Sequence, residues 1–316
     1  MTLKVAIQMD HISLIDIEVD STFVIAMEAQ KRGFDIFHYQ PANLIMKNTR
    51  LFAWGEPLKL KKDNASYFQL GSSELLDLSE MDVVLMRQDP PFDMSYITAT
   101  HLLDHLASKT LVVNNPTAVR NAPEKLFVTE FSAFTPPTLI TSNHDQVRLF
   151  RSQYKDIVLK PLFGNGGVGV VHITAEDENL NAILELFSQH IPEPVVVQKY
   201  LPAVRQGDKR IVLIDGKAAG AVNRIPPKGE ARSNLHVGGK AKKATLTDRE
   251  QQICEQLGPE LSQRGLIFAG IDMIGDYLTE INVTSPTGLQ EINRFDNSCL
   301  EADIWNAIEQ RLENFL

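Results

Sequence analysis

The chain is poor in cysteine, in long apolar runs and in positive charge, and each shortage removes a class of protein. Two cysteines, Cys254 and Cys299, in 316 residues form neither a disulfide framework nor a metal-binding spacing, which suits a reducing, cytoplasmic setting. Apolar runs such as Val83-Val84-Leu85-Met86 fall far short of the roughly 18 residues that a membrane helix needs, so no membrane partner is expected. Lys and Arg number 31 against 40 Asp and Glu, a net charge of −9. That field repels a polyanion, and nucleic acid is not an expected partner. Several catalytic signatures are missing as well: H-E-x-x-H, G-x-S-x-G and G-x-x-x-x-G-K-[ST] do not occur. Zinc hydrolysis, serine-nucleophile chemistry and the P-loop class therefore get no support. There is no internal repeat and no low-complexity tract.

What is present is an ordinary folding composition, 43% hydrophobic and 22% charged, with length for roughly two domains at about 150 residues each. Met1 to Asp10 alternates apolar and polar residues at period two, which reads as a strand and not as an export signal. Ser21 to Arg32 reads as a helix with Ser21 as N-cap and Gly33 as the stop, and Phe34 to Tyr39 as a second strand. This β-α-β opening, with further strands at Met81 to Arg87 and Thr110 to Asn114 and a helix over Tyr96 to Ala107, predicts an α/β doubly wound parallel-sheet unit. Asn114-Asn115-Pro116 and Pro136-Pro137 punctuate the chain, so a first domain is expected over 1–121, a second over 122–200 and a third over 201–316. In the second, strands at Ile157 to Lys160, Val170 to Ile173 and Val195 to Gln198 meet glycines directly, as antiparallel hairpins do, beside a helix over Asn179 to Phe187. The third has strands at Arg210 to Ile214, Ala218 to Val222, Ile271 to Ile274 and Tyr277 to Val283. It also has a polar stretch from Ile225 to Lys243 and helices over Asp248 to Gln263 and Glu301 to Leu312.

Gly164-Asn165-Gly166-Gly167-Val168-Gly169 spells G-x-G-x-x-G, but β-branched residues follow where a dinucleotide fold would start a helix. The context is strand, loop, strand. Such a loop can lie over a nucleotide, because missing Cβ atoms let backbone N–H groups reach phosphate oxygens. The glycines alone leave this reading and an ordinary hairpin equally open. Lys160, at the end of the preceding strand, places an ammonium where phosphates would lie. Glu280 and Asn282 are two apart on one strand and share a face, and Asp272 sits on the strand before them, so a hairpin can bring three oxygen donors together. Oxygen donors of this kind suit Mg²⁺. A solvent-facing acidic strand is the alternative, weakened by Ile271, Met273, Ile274 and Ile281 around it. Arg87, Lys125, Arg210, Arg224 and Arg232 are scattered cations, of which Arg87 and Arg210 hold strand-end positions that face ligand crevices in α/β sheets.

Taken together, Met86 to Asp93, Glu124-Lys125-Leu126-Phe127, Leu159-Lys160-Pro161-Leu162, Gly207-Asp208-Lys209-Arg210, Arg224-Ile225-Pro226 and Thr279 to Gly288 give the chain a resemblance to the bacterial glutathione synthetases of the ATP-grasp superfamily. It runs nearly end to end. The resemblance implies an ATP-grasp fold: an N-terminal parallel-sheet domain, a small α+β lid and a C-terminal α+β domain. It implies ATP-dependent ligation of γ-glutamylcysteine and glycine through an acyl phosphate, with Mg²⁺ (or Mn²⁺) as the metal and a homotetrameric assembly. By the same resemblance Asp208 belongs to the nucleotide-binding set, and Lys125, Lys160 and Arg210 face the nucleotide phosphates. Gly164, Asn165, Gly166, Gly167 and Gly169 cover them, and Gln198, Lys199, Tyr200 and Leu201 form the adenine hinge. Asp272, Glu280 and Asn282 hold the metal, and Arg210 with Lys160 serves the reaction. Arg87, Arg224, Arg232, Asn234, Ser285, Pro286, Thr287 and Gly288 contact the peptide. Ile225 to Gly239 forms a flap. Departures from the family pattern are Phe163, where an aspartate is expected, Lys199 in the hinge, and His236-Val237 in the flap. The rival readings are another ATP-grasp ligase, acting on D-alanine or a peptide end, and a nucleotide-binding protein of the same fold without turnover. A nicotinamide dehydrogenase is a third, weaker rival.

Overall fold

The computed structural model describes residues 2–230, 232–233 and 238–315, which build three β-sheets with helices packed against them. Strand β1 (Lys4–Gln8), helix α1 (Ser21–Lys31) and strand β2 (Asp35–Tyr39) form the expected βαβ unit, with β1 and β2 parallel. The helix cap is Asp20 and not Ser21: the Asp20 carboxylate accepts the Phe23 N–H at 2.6 Å, and Ser21 is already a buried helical residue. An aspartate one residue earlier reaches the third helical amide, which satisfies one of the helix's orphan donors.

The chain then departs from the simple parallel plan. Strands β3 (Leu44–Lys47), β4 (Arg50–Leu60), β5 (Phe68–Leu70) and β6 (Glu74–Asp77) add an antiparallel extension to the edge of β2. Its alternation is hard to see in sequence because β4 carries Gly55 and Pro57 in mid-strand. Strand β7 (Val83–Met86), helix α2 (Met94–Leu103), strand β8 (Leu111–Val113) and helix α3 (Pro116–Arg120) return to parallel grammar. The sheet order is β3-β4-β2-β1-β7-β8. Helix α2 stops at Leu103, short of Ala107, because residues 104–106 tighten into a 3-10 turn.

A short helix α4 (Glu124–Phe127) leads to the second sheet. This comprises β9 (Thr138–Thr141), helix α5 (His144–Tyr154), β10 (Ile157–Pro161), β11 (Val171–Ile173), helix α6 (Leu180–His190) and β12 (Val195–Lys199), in the antiparallel order β11-β10-β12-β9. It has a core of its own, Val147, Ile157, Leu159, Ile173, Leu184, Phe187 and Val197 among others. The third sheet, β15-β14-β13-β16-β17, is antiparallel. Its members are β13 (Asp208–Ile214), β14 (Lys217–Ile225), β15 (Lys240–Lys243), helix α7 (Asp248–Gln263), β16 (Phe268–Ile274) and β17 (Tyr277–Asn282), followed by helices α8 (Leu289–Asp296) and α9 (Leu300–Phe315).

Helix α7 begins with a reciprocal cap. Thr247 Oγ1 accepts the Glu250 N–H, and the Glu250 carboxylate accepts the Thr247 N–H at 2.7 Å. The polar stretch before it ends in strand β15, which sequence alone left without structure. The first and third sheets share their cores. Ile25 and Phe34 of the N-terminal unit pack with Trp305 of α9, whose indole N–H donates to the Ile25 carbonyl at 2.8 Å. Asn114 fastens the same two sheets, bonding Phe268 through both its amide atoms and donating also to the Val283 carbonyl. Base and lid are thus built differently: a large two-sheet body, and a small sheet with a separate core above it.

Candidate active site

The three sheets meet at a cleft of about 780 Å³. Its floor comes from the third sheet. Arg210 on β13 lies in register with Asp272 on β16, which lies in register with Glu280 on β17. Asn282, two residues on, shares the Glu280 side and donates its amide to Asp272 Oδ2 at 3.2 Å. The sequence-derived hairpin of Asp272, Glu280 and Asn282 is therefore present in space. Arg210 grips Asp272 with both arms of its fork, Nε to Oδ1 at 2.5 Å and Nη2 to Oδ2 at 3.0 Å. Gly270 makes room for that guanidinium, since a Cβ there would stand 3.0 Å from Arg210 Cδ. Arg224 on β14 adds a second cation, 3.0 Å from Asp272 Oδ1 and 2.7 Å from Asp208 Oδ2. Burial alone would raise the Asp272 pKa. Arg210 and Arg224 outweigh it and hold the carboxyl well below the usual aspartate range. Asp208 goes the other way, since burial and repulsion from Asp272 outweigh its bond to Arg224.

Above this floor stands the lid. Lys160 on β10 reaches to 3.6 Å from Glu280 Oε1. Lys125 on α4 is buried and donates to the Gly164 carbonyl at the root of the glycine loop. Gly166, Gly167 and Gly169 all have positive φ (61°, 79° and 72°), a conformation that side chains rarely adopt. Gly164, Asn165, Gly166 and Gly167 line the cleft, whereas Gly169 does not and sits against Pro161. The far wall is the β12 end: Gln198 donates to Thr138 Oγ1 at 3.0 Å, and Lys199, Tyr200 and Leu201 follow it into the cleft wall. The Tyr200 ring stacks on His172 at 3.8 Å between centroids.

The other end belongs to the N-terminal unit. Arg87, just beyond β7, is buried; it donates to Thr22 Oγ1 at 3.0 Å and to the Pro286 carbonyl at 3.1 Å. Ser285, in the turn before α8, donates to the Gln88 carbonyl at 2.6 Å, and Pro286, Thr287 and Gly288 complete that wall. Arg232 lines the cleft while paired with Glu230 at 2.7 Å. Asn234 and the His236-Val237 pair lie outside the described residues.

Sequence reasoning missed several cleft residues. Glu124 is one: burial and the nearby Glu280 push its carboxyl up to about 7 against the opposing pull of Lys125, and Thr284 donates to it at 3.2 Å. Asp16, Asp20 and Glu291 are others. Glu124 adjoins Lys125 and so was within reach of the motif, but Asp16, Asp20 and Glu291 belong to no motif and are gathered only by folding. Phe163 has a partner: its ring lies 6.0 Å from that of Phe92, which packs on Tyr96.

Solved structures share this architecture. A D-cycloserine synthetase matches with a TM-score of 0.69 at 15% identity over 98% of this chain and 99% of that one. D-alanyl-alanine synthetase A from Vibrio cholerae matches at 0.61 and 16% identity over 98% of each. The fold is the ATP-grasp fold, and with a lid, a glycine loop and an acidic floor it defines the class of ATP-dependent ligases. Residues 3–120 match the model of the prokaryotic glutathione synthetase N-terminal domain, and residues 124–297 that of the prokaryotic glutathione synthetase ATP-grasp domain. A glutathione synthetase of Brucella melitensis is 54% identical over 98% of this chain and all of its own, and one of Escherichia coli O157:H7 is 41% identical over 98% and 99%. The chain belongs to the prokaryotic glutathione synthetase family. It is an ATP-dependent ligase that acts on small molecules and uses ATP with a divalent metal. Among the described residues no helix is long and apolar enough to cross a membrane.

Proposed function

We propose that the chain joins γ-glutamylcysteine to glycine with ATP, forming glutathione, ADP and phosphate. Its membership of the glutathione synthetase family supports this reading. The observation that carries it is the convergence of Lys125 and Lys160 from the second unit with Arg210, Asp272, Glu280 and Asn282 from the third on one cleft. A γ-phosphate transfer to a carboxylate needs positive charge where oxygens crowd, in-line positioning and exclusion of water from the acyl phosphate. Lys125, Lys160 and Arg210 supply the charge. The glycine loop, fastened through Gly164 to Lys125, lies over the phosphates, and the Gln198 to Leu201 segment receives the adenine.

The donor set of Asp272, Glu280 and Asn282 fits a hard divalent cation: two carboxylates and an amide oxygen on adjacent strands, with Asp272 kept ionised as a ligand must be. Mg²⁺, or Mn²⁺ in its place, would supply charge neutralisation of the phosphates there. Arg210 orients the reacting carboxylate, and the Arg87 to Gly288 end holds the rest of the peptide. The lid has a core independent of the base, so it can close without disturbing the floor. We further assign the units 1–121, 122–200 and 201–316 as N-terminal domain, lid and C-terminal domain, a homotetrameric assembly and a cytoplasmic location.

The test is ADP release with MgATP, γ-glutamylcysteine and glycine, each omitted in turn, with mass spectrometry of the product. Tripeptide formation dependent on all three supports the reading. ADP release without tripeptide, or only with D-alanine or other amino acids, hands the reaction to another ATP-grasp chemistry, and ATP binding without ADP release points to a non-catalytic protein. Light scattering that shows a monomer removes the tetramer.

A further inference from the structure

One cleft residue has no task in the reaction as described. Glu291, in the first turn of α8, is 3% exposed and lines the cleft beyond the Ser285 to Gly288 turn. Its Oε1 lies 3.6 Å from the exposed Arg294, but its Oε2 is buried with no hydrogen-bond partner among the described residues. A buried carboxylate oxygen left without a donor is costly. Asp20 lies on the same wall. Gln290, beside Glu291, donates to the carbonyls of Asp20 and Ile17 at 2.7 and 2.9 Å, which ties the start of α8 to the segment before α1. The exposed Asp16 also lines the cleft. Burial pushes the Asp20 carboxyl above the usual aspartate range, more than the Phe23 N–H and the nearby Arg87 lower it. This end of the cleft therefore carries negative charge that the protein itself does not fully answer, with Arg87 next to it.

We propose that Glu291, with Asp20 beside it, binds the α-ammonium group of the γ-glutamyl head, and so makes the enzyme specific for a substrate with a free α-amino group. The inference rests on the peptide-ligase reading above. An ammonium carries three N–H donors that point apart, so it can donate both to the unpartnered Glu291 oxygen and to a neighbouring carboxylate. The placement also follows from the length of the substrate. Its reacting carboxylate belongs at Arg210, so its γ-glutamyl head extends past the Ser285 to Gly288 turn, where an α-carboxylate meets Arg87 and an α-ammonium meets Glu291.

The experiment compares ligation of glycine to γ-glutamyl-α-aminobutyrate, which has no thiol, and to glutaryl-α-aminobutyrate, which lacks only the α-amino group. Wild type is expected to favour the amino form in kcat/KM by about 30-fold or more, the usual scale for one partner of a buried charge pair. Glu291→Gln should lose most of that preference by slowing the amino form alone, with the KM for ATP unchanged. Asp20→Asn keeps the oxygen that caps α1 and should show the same selective loss in smaller measure; it carries the test if Glu291→Gln does not fold. Equal losses on both peptides, or no loss on either, overturn the assignment while leaving the ligase reading intact. Absence of wild-type turnover with both peptides and with γ-glutamylcysteine overturns both readings.

Discussion

Arg210 and Asp272 face each other in register across β13 and β16, joined by two bonds of 2.5 and 3.0 Å. A planar fork meeting a planar carboxylate fixes both groups in direction as well as in charge. If Arg210 steadies the transferring phosphoryl group, Arg210→Ala should lower kcat by about 10²–10³, the usual range for losing one such donor. Arg210→Lys should restore little of it, because an ammonium cannot reproduce the fork. Steady-state kinetics of both variants decide, and near-wild-type turnover in Arg210→Ala removes this residue from the chemistry.

Glu280 lies between Asp272 and Lys160. We expect Glu280→Gln to move the Mg²⁺ activation curve to higher concentration and to lower kcat at saturating metal. A titration superimposable on that of the wild type would place the metal elsewhere.

The Glu124 carboxyl, pushed up to about 7 by burial and by Glu280, makes stability depend on pH. Its folded-state pKa lies above its unfolded value of 4.5, so the native state holds the proton more tightly. The contribution is complete below pH 4.5 and is lost as pH rises through about 7. Thermal melting of the ligand-free protein across that window should show wild type losing stability relative to Glu124→Gln, which keeps an acceptor for Thr284. Parallel melting curves would show that Glu124 does not titrate there.

Phe163 precedes the glycine loop and lies tilted against Phe92 of the N-terminal unit, one residue from the Lys125 bond to Gly164. Aromatic pairs of this kind contribute about 0.5–1.5 kcal/mol. Phe163→Ala should therefore raise the KM for ATP by about 2- to 10-fold with kcat less affected, and adding Phe92→Ala should cost little more. Additive effects of the two substitutions would show that the rings act separately.

Much of this was legible before folding was considered. The βαβ opening follows from period-two strands around a capped helix, and the Asp272, Glu280 and Asn282 face follows from alternation along one hairpin, because both patterns are local. The antiparallel strands of 44–77 were not, since Gly55 and Pro57 interrupt the alternation of β4. Helix α8 was missed because the run Gln290-Glu291-Ile292-Asn293-Arg294 is strongly polar, and its first turn is buried by β14, α9 and the segment before α1, all distant in sequence or met only on folding. The role of Phe163 was also hidden, because its partner lies some 70 positions earlier in the chain.

Local order therefore set the reaction class, through short motifs whose residue types and spacing survive in any correct fold: the glycine loop, Lys160, and the two strands that carry the acidic floor. What only the tertiary structure decided is which charges answer one another. Arg210 and Arg224 converge on Asp272, Lys125 reaches the root of the glycine loop, and Glu291 keeps a buried oxygen with no hydrogen-bond partner among the described residues. These pairings join residues tens to hundreds of positions apart, and their energies come from burial and distance, which a linear order of residues does not contain.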